Sequence, residues 1–103
     1  MSADNGIYIL KTPIVEGETG IFEYRVRHAQ AIDNITYERK DGNPEYVVQY
    51  FGDSEVFVNV EGARHKAWEM YNGVMKSCFP VVEYGICEIE LPHSFEYYRK
   101  NVE

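Results

Sequence analysis

Over its first two predicted elements the chain changes rhythm. Gly6 is followed by Ile7-Tyr8-Ile9-Leu10, a β-branched and aromatic run that Thr12-Pro13 ends, because proline restricts the residue before it and offers no backbone donor. This predicts a first strand. The polar, glycine-bearing stretch Glu16-Gly17-Glu18-Thr19-Gly20 then reverses the chain into Ile21 to Ala29, which alternates at period two. The pair reads as a hairpin. In its second strand Phe22, Tyr24, Val26 and His28 share one face and Glu23, Arg25 and Arg27 the other, so the pattern predicts one face in the core and one in water.

Gln30 to Tyr37 fits two helical turns, with Ala31, Ile32 and Ile35 at three- and four-residue spacing. Asp41-Gly42-Asn43-Pro44 is a turn signal, and Tyr46 to Phe51 after it reads as a third strand that Gly52-Asp53-Ser54 ends. The clearest periodicity lies between Asn59 and Lys76. Val60, Ala63, Ala67, Met70, Tyr71 and Val74 form an apolar stripe opposite Arg64, Lys66, Glu69 and Asn72, with Asn59 placed to cap the helix and Glu61 suited to its positive end. Gly62 and Gly73 weaken helix propensity, so packing must hold this element, and small residues there permit close approach to a sheet.

Val81 to Leu91 reads as a fourth strand, with Gly85 as a bulge between Val82-Tyr84-Ile86 and Cys87-Ile89-Leu91, and Pro92 as its stop. His93 to Lys100 fits a short terminal helix or docked tail, with Tyr97 and Tyr98 closing the core. A parallel crossover from strand three through the helix to strand four, added to an antiparallel hairpin, predicts an α+β fold: a small mixed or antiparallel sheet of about four strands, one principal amphipathic helix on one face, and short helical segments. No repeat or linker interrupts residues 1–103, which read as a single domain.

Composition adds a core and a charge. Nine Tyr, five Phe and one Trp among 103 residues supply large burial areas, so no disulfide is needed to stabilise a domain of this size. Cys78 and Cys87 have no Cys or His pair at zinc spacing near them and are expected as reduced, buried thiols. No apolar run approaches membrane-spanning length, and a cytoplasmic protein is expected. Seventeen acidic against ten basic residues give a formal net charge of -7. That charge disfavours non-specific nucleic-acid binding and favours encounter with a partner of basic surface, while also serving solubility.

Candidate chemistry is sparse. His28, His65 and His93 show no ligand spacing, and neither a metal nor a cofactor is expected. Arg25 and Arg27 on the wet strand face suit a phosphate or a carboxylate, or else cross-strand ion pairs. Asp53-Ser54 and Asn59 suit an anion held by backbone amides near a helix start, or else simple turns and caps. Two functional readings compete with a protein-binding one. The first is a small-ligand module taking a nucleotide or similar anion with Arg25, Arg27, His28 and the amides near Ser54. The second is a small hydrolase pairing His28 with Asp33 or Asp53. An exposed sheet edge would also suit a homodimer.

The opening Met1-Ser2-Ala3-Asp4-Asn5-Gly6-Ile7-Tyr8-Ile9, the segment from Tyr24 through Arg25-Val26-Arg27-His28 to Asn34, and Tyr50-Phe51-Gly52-Asp53-Ser54 resemble a group of small phage and prophage proteins, over most of the chain. The resemblance carries no catalytic or binding residues across. It implies a setting in which small acidic proteins bind and block host machinery, defence systems included. A non-enzymatic interaction protein with an acidic, tyrosine-bearing surface is therefore the leading expectation.

Overall fold

The computed structural model describes residues 5–18, 20–30, 32–76 and 85–102. In chain order the elements are β1 (Asn5–Pro13), β2 (Phe22–Gln30), a 3-10 turn (Ile32–Ile35), α1 (Pro44–Phe51), β3 (Val56–Phe57), α2 (Val60–Lys76), β4 (Ile86–Glu90) and α3 (Phe95–Lys100). The strands form one mixed sheet in the order β3-β2-β1-β4. β1 and β2 pair antiparallel with Leu10 opposite Arg25, β3 continues antiparallel beside β2, and β4 lies parallel to β1 with Leu10 opposite Ile89. This is the expected α+β fold. The crossover expected from a third strand at Tyr46–Phe51 is corrected: those residues are helical, and α2 instead connects β3 (Val56–Phe57) to β4, which lie at opposite edges of the sheet.

The largest departure is the second face of the sheet. Ile7, Ile9 and Val26 pack with Ala63 and Ala67 of α2, joined by Tyr24, Phe57, Met70, Tyr71 and Ile86. On the other side Tyr8, Leu10, Ala29 and Leu91 pack with Val47 and Phe51 of α1 and Phe95 and Tyr98 of α3. Helices thus cover both faces, and the expectation that Glu23, Arg25 and Arg27 share a wet face is corrected. Ile7-Tyr8-Ile9-Leu10 explains why. All four are buried, and a strand that is apolar without alternation has core on both sides.

The predicted third strand is also corrected, since Tyr46 to Phe51 lie in α1. Asn43 accepts a hydrogen bond from the Glu45 amide at 3.1 Å through its side chain. Pro44 follows at the first helical position, where no donor is needed, so Asn43-Pro44 starts a helix rather than merely turning the chain. Val47 and Phe51, four apart, are fully buried, and the rings of Tyr46 and Tyr50, also four apart, stack at 6.2 Å. The extended element is the two-residue β3 instead. The helical turns expected from Gln30 to Tyr37 reduce to the 3-10 turn, with Gln30 in β2 and Ala31 outside the described residues. Cys78, Val81, Val82 and Tyr84 also lie outside them, and with them the expected bulge, while Cys87 is half-buried rather than buried.

α2 begins as expected, with Asn59 accepting from the Gly62 amide at 2.7 Å. Its two glycines sit in different surroundings. A Cβ on Gly62 would lie 3.2 Å from Phe57 and from Asn59, whereas one on Gly73 would meet nothing within 4 Å. Gly73→Ala is therefore expected to stabilise the protein by about 0.5–1 kcal/mol, the helix-propensity difference alone. Gly62→Ala should gain less or nothing, and urea denaturation of the two variants measures the contrast.

Candidate functional site

β2 presents Arg25 and Arg27 on the α1 and α3 side of the sheet, opposite Leu10 and Tyr8, and His28 on the α2 side, opposite Ile7. The three side chains therefore do not converge. Arg27 is exposed. Arg25 is sealed, its side chain only 7% accessible, with Nη1 on Glu23 Oε1 at 2.9 Å and the guanidinium 3.7 Å above the Phe95 ring. Its Nε is buried and finds no hydrogen-bond partner among the described residues. A guanidinium so enclosed holds structure together and is closed to a ligand arriving from water. His28 is half-buried on the apolar face.

The remaining predicted residues lie at element ends. Asp53 is exposed in the turn after α1, and the Ser54 amide donates to the Phe51 carbonyl at 3.2 Å, which uses it to close that helix. Asn59 caps α2 with its side chain. Turn and cap roles thus account for Ser54 and Asn59.

Two groupings were not foreseen. The first joins residues far apart in sequence. His93, just before α3, places Nδ1 2.8 Å from Glu16 Oε1 in the β1–β2 turn and Nε2 3.2 Å from Asp41 Oδ2 in the turn before α1. The Tyr97 ring stacks on it at 3.9 Å. Ser94 donates its amide to the other Glu16 oxygen at 3.2 Å and accepts from the Tyr97 amide, so the cap of α3 and this cluster are continuous. The buried Tyr98 hydroxyl donates to the Asp41 carbonyl, and burial holds its pKa well above the ordinary tyrosine value, so it remains a donor. The carboxylates of Glu16 and Asp41 meet opposite nitrogens of the ring rather than a common point. Among the described residues no group of three His, Cys, Asp or Glu side chains is arranged to hold a metal ion.

The second grouping is on the outer side of α2. Trp68 is 55% exposed and stacks on Tyr71, with centroids 5.6 Å apart and planes within 8°. Tyr71 in turn packs into the α2-side core, so the exposed indole rests on a fixed ring. Nearby, Arg64 pairs with Glu88 at 3.0 Å, and His65 Nε2 lies 2.7 Å from Glu69 Oε1. Helical spacing alone places Trp68 off the apolar stripe, and that signal could have marked it. For the His93 cluster no local pattern existed. Among the described residues no helix is long and apolar enough to cross a membrane.

No protein-family model, curated protein or solved structure matches this chain, so the reading of its surface rests on its own geometry.

Proposed function

We propose that this chain is a non-enzymatic interaction module that binds a macromolecule of basic surface through the outer face of α2. The observation that carries this is the Trp68–Tyr71 stack. A large, amphipathic ring held in place before binding loses little entropy on contact, and tryptophan is prominent among residues that dominate interface energies. The net charge of -7 favours approach of a cationic partner. By contrast, Arg25 is turned inward and His28 lies on the opposite sheet face, which weakens the small-ligand reading. The resemblance to small phage proteins supports a cytoplasmic host or viral target, a defence complex among them, with inhibition as the outcome.

The test is quantitative capture from bacterial lysate by wild-type protein and by Trp68→Ala. A stoichiometric partner is expected with the wild type, and a loss of affinity of about tenfold or more in the variant. The melting temperature should be nearly unchanged, because the side chain is more than half exposed. Failure to capture any stoichiometric partner, or equal capture by the variant, would remove the reading.

A further inference from the structure

A neutral imidazole has one N–H and one lone pair, so it donates to one carboxylate while its other nitrogen turns a lone pair towards the second. Only the imidazolium donates through both nitrogens. His93 stands between two carboxylates in this way. Its ring is fixed by the Tyr97 stack and by the edge of Tyr98 at 5.9 Å, both from α3. The charges acting on it are those of Glu16, from the β1–β2 turn, and Asp41, from the turn before α1.

The two arms are unequal. Glu16 is the nearer, at 2.8 Å against 3.2 Å for Asp41, and its second oxygen also accepts from the Ser94 amide. The Asp41 side chain is the more exposed, and its residue is held separately at the main chain by the Tyr98 hydroxyl. The carboxylate of Asp41 can therefore leave the ring without the turn losing its attachment. We propose that His93 is a proton-operated clasp: protonated, it joins the β1–β2 turn to the turn preceding α1, and on losing its proton it keeps Glu16 through Nδ1–H and releases Asp41.

The pH window follows from the two shifts. Partial burial alone would lower the His93 pKa, but the hydrogen bonds to Glu16 and Asp41 and their charges outweigh it and hold the value above 6.5. The stability it contributes is complete below 6.5 and is lost as pH rises through that raised value. Glu16 is shifted the other way, chiefly by its hydrogen bond to His93, so its contribution is present above 4.5 and is lost as pH falls through the lowered value. The clasp is closed in mildly acidic solution and opens on the alkaline side at the Asp41 arm.

Imidazole nitrogen NMR of the full chain across about pH 5 to 9 reads the ring directly. His93 is expected to titrate above 6.5 and, once neutral, to keep its proton on Nδ1. Through that titration the exchange protection of the Gly42 and Asn43 amides, which donate to Arg39 and Ile35, should fall about two- to fivefold, the scale of a half-exposed ion pair. Asp41→Asn should lower the His93 titration point and abolish the change at Gly42 while leaving the Tyr98 contact to the main chain intact. A neutral ring protonated at Nε2, a titration at or below 6.5, or protection at Gly42 indifferent to pH overturns the proposal.

Discussion

Arg25→Ala lowers the unfolding free energy by about 3 kcal/mol, the lower end of what breaking a buried ion pair costs. Three losses act together. Glu23, 19% accessible at its side chain, is left without its partner at 2.9 Å; the Phe95 ring loses the guanidinium lying on it; and the vacated stem leaves space between the sheet and α3. Arg25→Met restores much of the packing. Combined with Glu23→Gln it should bring stability to within about 1 kcal/mol of wild type, because a buried pair is often replaceable by uncharged groups of similar volume. Nε has no hydrogen-bond partner among the described residues, which strengthens this expectation, since methionine has no donor to leave unsatisfied there. Urea denaturation of the three variants decides it. An alanine variant within about 1 kcal/mol of wild type would show that the pair and its stack contribute little.

Gly42→Ala is expected to destabilise by about 2–4 kcal/mol, from two sources. Its φ of 106° lies where side chains are strained, and a Cβ there would stand 2.9 Å from the Tyr98 ring and hydroxyl. That ring cannot retreat: it is fully buried, and its hydroxyl is bonded to the carbonyl of Asp41, the residue next to Gly42. Gly17→Ala separates the two terms. Gly17 has a φ of 86° but open space around the missing Cβ, so it should lose only the conformational part, about 1 kcal/mol. Thermal unfolding of both measures the difference, and equal losses would assign the whole effect to backbone conformation.

What was legible in the sequence was periodicity over a long enough window. α2 and the β1–β2 hairpin follow it closely, and Asn59 caps the helix it precedes. Tyr46 to Phe51 was ambiguous because six residues of mostly apolar character satisfy both a strand and a helix, and the deciding signal lay outside the run, in Asn43-Pro44. The wet-face expectation followed the charges of β2 and overlooked the unbroken apolar run of its partner β1. Arg25 and Arg27 show the limit most directly. They share a strand and a face, yet one is enclosed and the other exposed, because Phe95 arrives over the first from 70 residues away in the numbering. The His93 cluster is likewise assembled from three separate turns, and nothing local announces it.

The position of β1 has a consequence for how the protein is made. Of the four strands it is the first in chain order, yet it lies inside the sheet, between β2 and β4. The hairpin it forms with β2 can assemble at once, but a two-stranded ribbon in water is marginal. Its second edge stays open until Ile86–Glu90 emerge, and α2 must first pass across β2 and β1 to deliver them. Long-range pairing of this kind slows folding, because loop closure precedes the contacts that reward it. During synthesis the nascent chain therefore carries an unpaired apolar strand edge until β4 has emerged, and that interval is when a chaperone or an unwanted strand would find it.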